Sequence, residues 1–136
     1  IFAMHEHPRV SIDYVTRPSR GGGRDAVGRY RVGVHSDPVY AEFALEAKLW
    51  RPPISGKPQG QLGVKEVQRV ISRIKHRQFG VIVTTGTVHE QAYSEVREDG
   101  HPVVFLCARD IAEILIERGL TTPSIVSEYL NKNFPV

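Results

Sequence analysis

Hydrophobic and polar residues alternate along VYAEFALEAKLW, residues 39–50, with the period of two that predicts a β-strand. One face of this predicted strand is apolar, and it comprises Ala41, Phe43, Leu45, Ala47 and Leu49. The opposite face carries charge, and it comprises Tyr40, Glu42, Ala44, Glu46 and Lys48. We expect the apolar face to be continuous core, and Glu46 and Lys48 to lie side by side. A half-exposed strand with a simply hydrated outer face is the alternative.

Two further strands precede this one in the pattern. Residues 9–15 and 29–34 alternate more weakly, and the segment HSDP predicts a hairpin between 29–34 and 39–50. Three consecutive glycines within residues 17–28, and the many Pro and Gly residues of 51–63, predict loops there.

The period changes to that of an α-helix between Val64 and Arg77. Its apolar side comprises Val64, Val67, Val70, Ile71 and Ile74. Its outer face is basic, and it comprises Lys65, Arg69, Ser72 and His76, with Arg73 beside them. This face is a candidate surface for phosphate groups, and an ordinary solvated face is the alternative.

Two short apolar runs, residues 79–86 and 102–108, predict strands that are buried on both faces. Helices are predicted at 88–100, 109–120 and 122–134. The order is therefore β, β, β, α, β, α, β, α, α. Early hairpin strands followed by alternating elements favour the α/β class, with a mixed sheet flanked by helices.

Length and composition favour one domain over residues 1–136. The chain has 40% hydrophobic and 24% charged residues, which is ordinary for a globular protein, and no apolar run long enough to cross a bilayer. Its single cysteine, Cys107, excludes an internal disulfide, fits a reducing cytoplasmic compartment and, within an apolar run, favours a structural thiol. The start at Ile1 suggests a piece of a longer protein.

Positive charge is concentrated in the middle of the chain. The net charge is +3, but residues 52–78 hold six Lys and Arg against one Asp or Glu. Such a segment suits a polyanionic partner such as nucleic acid.

Three side chains form the candidate catalytic set. Asp25 follows three glycines and Arg24, and the triplet Glu46-Ala47-Lys48 begins twenty-one residues later. Two neighbouring carboxylates repel each other unless a cation lies between them, and oxygen ligands favour Mg²⁺. A lysine there can orient water or stabilise developing charge. The glycines let main chain approach a bulky anion closely. A flexible loop and a turn-capping aspartate are the alternatives.

The segments GGGRDAVG, FALEAKLW and FGVIVTTGTVHEQAY together resemble the PD-(D/E)xK nuclease superfamily, especially its Mrr-like restriction endonuclease branch, over roughly residues 9–115. The resemblance implies a restriction-endonuclease-like three-layer fold. It also implies that Asp25 and Glu46 bind Mg²⁺, with Mn²⁺ as a substitute, that the Ala47 carbonyl is a further ligand, and that Lys48 assists the attacking water. Arg24 stands where the superfamily motif has Pro.

The family often has an acidic residue on a helix ahead of its first strand. Glu6 is the nearby candidate, but HEHPR, residues 5–9, is a poor helix sequence, which suggests that this helix is truncated. Whether Glu6 or Asp13 assists the site stays open at this stage.

The implied function is Mg²⁺-dependent hydrolysis of DNA phosphodiester bonds, as the cleavage domain of a restriction enzyme, including a modification-dependent one. Expected partners are double-stranded DNA, a separate recognition domain or subunit, and a second copy when both strands are cut; no membrane partner is expected. The expected DNA-binding residues are Gly22, Gly23, Arg24, Arg51, Lys57, Lys65, Arg69, Arg73 and His76.

Three rival readings remain. A Holliday-junction-resolvase-like nuclease would use the same site on a dimeric surface, and a non-catalytic DNA-binding module would keep only the fold. The segment His5-Glu6-His7 could form a transition-metal site, since two His residues two apart can share one strand face. No third ligand is evident, however, and an N-terminal tail is the simpler interpretation.

Overall fold

A computed structural model describes residues 1–16, 25–50, 60–74 and 77–135. The strands are β1 Val10–Val15, β2 Ala26–Val34, β3 Asp37–Lys48, β4 Gln61–Leu62, β5 Phe79–Thr84, β6 Thr87–Val88 and β7 Val103–Leu106. The helices are α1 Phe2–His5, α2 Val64–Ile74, α3 Glu90–Glu98, α4 Ala108–Glu117 and α5 Pro123–Asn133. Within these ranges no helix is both long and apolar enough to span a membrane.

The main sheet has five strands in the order β1-β2-β3-β5-β7. Its first three strands pair antiparallel, whereas β3 pairs with β5, and β5 with β7, in parallel. The helix α2 connects β3 to β5, and α3 connects β5 to β7, as parallel pairing requires. The predicted mixed sheet flanked by helices is therefore confirmed.

Hydrophobic clusters cover both faces of this sheet, because neighbouring strand residues point to opposite sides. Val81 lies in one cluster and Ile82 in the other. The cluster under α2 and α3 comprises Leu62, Val67, Val70, Ile74, Ile82, Ala92, Val96 and Val103. The opposite cluster comprises Phe2, Phe43, Val81, Leu106 and Ile114. The sheet is thus the middle of three layers.

The predicted faces of the long strand need two corrections. Phe43 is completely buried as expected, but Ala44 and Glu46, on the opposite face, are buried too, which rules out the alternative of a simply hydrated outer face at these two positions. Helix α2 packs over this face, which a one-strand pattern does not reveal. Ala47 and Leu49, both expected to be core, are exposed. Leu49 is 81% exposed because β3 ends at Lys48 and the chain then leaves the sheet.

The N-terminal segment also differs from the prediction. Residues 2–5 form helix α1 rather than a tail, and the Phe2 ring packs edge-on against Phe43 with 5.2 Å between centroids. Burial of this aromatic ring fixes the short helix to the core.

A second, two-stranded sheet was not predicted. Gln61 and Leu62, expected in a loop, pair in parallel with Thr87 and Val88 as β4 and β6. Two-residue strands are too short to show a period of two. The helix predicted from residue 88 accordingly begins at Glu90, with His89 as its N-cap.

Candidate active site

Asp25 lies directly beside the acid-x-Lys segment of β3. Ala26, the first residue of β2, pairs with Leu45, and the main-chain nitrogen of Asp25 donates a hydrogen bond to the Leu45 carbonyl at 2.9 Å. The Asp25 carboxylate in turn accepts one from the main-chain nitrogen of Ala47 at 2.7 Å. Antiparallel pairing thus brings the predicted aspartate onto the peptide that joins Glu46 to Ala47.

Glu46 is a buried carboxylate at the end of a central strand. Only 7% of its side chain is exposed, and its Oε1 atom lies 3.2 Å from the Nζ atom of Lys48. Lys48 itself keeps 38% of its side chain exposed, so it can face both Glu46 and a bound molecule. The predicted adjacency of these two side chains is confirmed, but the sequence did not indicate that Glu46 is buried.

Arg73 is the second cation at Glu46. It extends from α2 and places a guanidinium nitrogen 3.5 Å from Glu46 Oε2. This oxygen is buried and accepts no hydrogen bond within the described residues. The Glu46 carboxylate therefore lies between an ammonium group on its own strand and a guanidinium group on the covering helix.

Strand β5 fixes the point where β3 leaves the sheet. Lys48 pairs with the buried Thr84, and the Lys48 carbonyl accepts a hydrogen bond from the main chain of Thr85 at 3.2 Å. The Thr85 hydroxyl accepts from the Trp50 nitrogen at 2.7 Å and donates to the Trp50 carbonyl at 3.0 Å. Thr85 thus anchors the main chain around Lys48, a role that sequence reasoning missed.

The donor atoms at this site suit a hard divalent ion. Asp25, Glu46 and the Ala47 carbonyl would supply oxygen ligands, which Mg²⁺ and Mn²⁺ prefer. The buried Glu46 Oε2 has unused capacity to accept a ligand. No group of three or more His, Cys, Asp and Glu side chains suited to a metal occurs in the described part of the chain. The site would therefore rest on two carboxylates and main-chain oxygen.

Glu6 and Asp13 have partners of their own. Tyr30 donates a hydrogen bond to Glu6 at 3.0 Å, and burial together with this bond raises the pKa of the Tyr30 hydroxyl. Arg29 binds both oxygens of Asp13, at 2.9 and 3.0 Å, and this hydrogen bonding lowers the pKa of the Asp13 carboxyl. Both acids are thus engaged within the β1-β2 region.

The predicted DNA-binding residues are only partly described. Lys65 and Arg69 are exposed on α2, as expected of a surface that meets phosphates, whereas Arg73 is directed towards Glu46. The remaining predicted positions, Gly22, Gly23, Arg24, Arg51, Lys57 and His76, lie outside the described residues. The phosphate-binding role of this set stays a prediction.

Cys107 has the environment of a structural thiol. Its main-chain nitrogen donates to the Asp110 carboxylate at 2.8 Å at the start of α4. Burial, and then the neighbouring Asp110 charge, raise the pKa of the Cys107 thiol, which disfavours the nucleophilic thiolate.

Comparison with known proteins gives the family. The model of the Mrr catalytic domain, described as a restriction endonuclease, matches residues 9–115. The chain belongs to this family of restriction endonuclease domains. This agrees with the resemblance to Mrr-like restriction endonucleases that was inferred from the glycine-rich segment before Asp25 and from the acid-x-Lys strand. The search of curated protein sequences gave no significant match.

Two solved structures extend the comparison. The DNA modification-dependent restriction endonuclease AspBHI is 47% identical, with a TM-score of 0.76, over 90% of this chain and 30% of its own. The MspJI restriction endonuclease in complex with a 27-mer oligonucleotide is 25% identical, with a TM-score of 0.73, over 94% of this chain and 28% of its own. The present chain therefore spans less than a third of either relative, and the restriction-endonuclease-like fold is confirmed.

Proposed function

We propose that this chain carries a Mg²⁺-dependent endonuclease centre that hydrolyses phosphodiester bonds in double-stranded DNA. The observation that carries the proposal is that the Asp25 carboxylate, just before β2, accepts a hydrogen bond from the Ala47 nitrogen, between the two residues of the Glu46–Lys48 ion pair at the end of β3. Two carboxylates and one ammonium group, at the rim of a buried sheet, are the groups that such hydrolysis needs.

Each of these side chains has a distinct task. Asp25 and Glu46, with the Ala47 carbonyl, hold the ion; the Ala47 nitrogen fixes the orientation of the Asp25 carboxylate. A bound Mg²⁺ supplies Lewis-acid stabilisation of charge on the phosphate and on the attacking water. Lys48, partly exposed beside Glu46, donates hydrogen bonds to the water or to a phosphate oxygen as negative charge develops.

The same proposal extends to the DNA surface and to the setting. The exposed cations Lys65 and Arg69 contact backbone phosphates, together with the predicted basic positions Arg24, Arg51 and Lys57. Such contacts position DNA and carry no sequence information. Residues 1–136 form a single catalytic domain of a longer cytoplasmic protein, whose recognition domain selects the DNA. Cleavage of both strands brings two copies together.

Similarity to AspBHI favours a modification-dependent restriction enzyme over the other readings. The longer protein, with its recognition domain, is incubated with methylated and unmethylated plasmid, in buffer with Mg²⁺ or with EDTA. We expect the methylated plasmid to be cleaved in Mg²⁺ and not in EDTA, and the unmethylated plasmid to stay intact. An Asp25→Ala variant should cleave neither plasmid. DNA binding without cleavage in Mg²⁺ or Mn²⁺ would favour a non-catalytic module, and a preference for four-way junctions would favour a resolvase.

A further inference from the structure

Glu46 is held by two cations that come from different layers of the fold. Lys48 reaches Oε1 from the same strand, and Arg73 reaches Oε2 from α2, at 3.2 and 3.5 Å. The proposed chemistry uses Lys48 but gives no task to Arg73. An arginine on the helix that covers the sheet, directed at a buried carboxylate instead of at solvent, requires its own explanation.

We propose that Arg73 is a resident counter-cation, which neutralises Glu46 while the metal is absent and opposes the metal when it binds. This inference rests on the proposed function, because it takes Glu46 to be a metal ligand. It gives Arg73 a positioning role in the catalytic centre that differs from the phosphate contact predicted from its place beside the basic helix face.

Burial of the Glu46 carboxylate is the first support. Taking a carboxylate out of water is costly unless each oxygen gains a partner. Within the described residues Oε2 accepts no hydrogen bond, so the Arg73 ion pair is the favourable interaction at that atom. The side chain of Arg73 is itself only 30% exposed, which limits its screening by solvent and salt.

Charge balance is the second support. Asp25 and Glu46 carry two negative charges, and Lys48 and Arg73 carry two positive charges, so these four groups are formally neutral together. A divalent ion placed between the carboxylates adds two positive charges close to both cations. Removal of the Arg73 charge leaves a site with net negative charge, which attracts the ion more strongly.

The inference therefore predicts the sign of a change in metal affinity. Arg73→Met removes the charge but keeps an unbranched apolar stem, as long as the aliphatic part of the arginine, against the helix. We expect this variant to bind a divalent ion more tightly in the absence of DNA. Arg73→Lys keeps the charge, so its affinity for the ion should stay near that of wild type. If Arg73 only contacted phosphate, Arg73→Met would leave the metal affinity unchanged. If Arg73 were needed to orient Glu46 for the metal, Arg73→Met would weaken metal binding.

The test is a Mn²⁺ titration of the DNA-free protein, with free Mn²⁺ read by electron paramagnetic resonance. Arg69→Met is the matched control, because Arg69 lies one helical turn earlier on α2 and is exposed. We expect the dissociation constant of Arg73→Met to fall by about threefold or more. Arg69→Met and Arg73→Lys should remain within about twofold of wild type, since solvent screens the exposed Arg69 charge and the Arg73→Lys substitution retains the positive charge.

Two failures can be told apart. Wild type that binds Mn²⁺, with Arg73→Met equal or weaker, overturns this inference and leaves the proposed function standing. Wild type that binds no Mn²⁺ at this site, shown by an Asp25→Asn variant with the same titration curve, overturns the proposed function and the inference with it. If circular dichroism shows Arg73→Met to be unfolded, Arg73→Gln enters the same titration with the same expected tightening.

Discussion

Asp25 and Ala47, twenty-two residues apart, are joined by a 2.7 Å hydrogen bond from the Ala47 main-chain nitrogen to the Asp25 carboxylate. This contact orients one proposed catalytic acid by means of the backbone of the strand that carries the other two proposed groups, Glu46 and Lys48. The proposed site therefore depends on the β2-β3 pairing.

Asp25→Asn tests the carboxylate at this position. The asparagine oxygen can still accept the Ala47 hydrogen bond, so we expect the fold to persist while the ion loses a charged ligand. Affinity for Mn²⁺ should fall by about 100-fold, at least as much as loss of an outer-shell partner costs at other metal sites. Calorimetric titration of the DNA-free protein measures it. Asp13→Asn is the control, because Asp13 is bound to Arg29; an equal loss in both variants would contradict the assignment.

Phe43→Ala and Leu49→Ala compare two positions that the alternating pattern places on the same face. Phe43 is completely buried against Phe2, so its truncation should lower the free energy of unfolding by about 3–5 kcal/mol. Leu49 lies beyond the end of β3 and is exposed, so its truncation should change stability by less than about 0.5 kcal/mol. Urea unfolding measures both. Similar losses would place Leu49 in the core after all.

Much of the fold follows from local pattern, as these two residues illustrate. Alternation in β3 and the apolar runs of β5 and β7 predict the sheet. A strand that is buried on one face alternates between apolar and polar residues, whereas a strand that is buried on both faces is apolar throughout. Leu49 and Glu46 depart from the pattern for a non-local reason: neither the end of pairing nor the packing of α2 over β3 can be read from residues 39–50.

The site was predictable to a similar degree. Asp25, Glu46 and Lys48 stand out because carboxylates and a lysine flank apolar segments and glycines. The pairing of Arg73 with Glu46 joins two elements across the core, and its only local signal is an arginine at the border of the apolar helix face, next to Ile74. Glu6 was a reasonable candidate by position, but its contact with Tyr30 depends on how α1 packs.

Gly86→Ala tests the close packing that supports the end of β3. A Cβ atom at Gly86 would lie 2.3 Å from the Gly60 carbonyl and 2.4 Å from the Trp50 ring, so main chain must move. We expect the variant to lose about 1–3 kcal/mol of stability.

Gly63→Ala is its control, because the added atom would lie 3.0 Å from the end of the Glu66 side chain and meet no main-chain atom. Thermal unfolding of both variants provides the comparison. An unchanged melting temperature for Gly86→Ala would show that the Trp50 contact is not close.

Cys107 should react slowly with thiol reagents in the folded protein. Because its pKa is raised, the thiolate fraction at pH 7 is smaller than for an unperturbed cysteine, and alkylation by iodoacetamide should be slower than that of the same chain in urea. Mass spectrometry of the alkylated fraction over time measures the rates. Faster modification of the folded chain would instead indicate an activated thiol.

Lys48→Met tests the central claim most directly. Single-turnover cleavage of methylated DNA is measured at saturating Mg²⁺ for wild type and variant, with Mn²⁺ affinity as a control for an intact carboxylate site. We predict that the variant still binds the ion and that its cleavage rate falls by about 100-fold or more, the usual cost of losing a group that stabilises transition-state charge. Cleavage at the wild-type rate by Lys48→Met would contradict the assignment of this side chain, and of the site built around it.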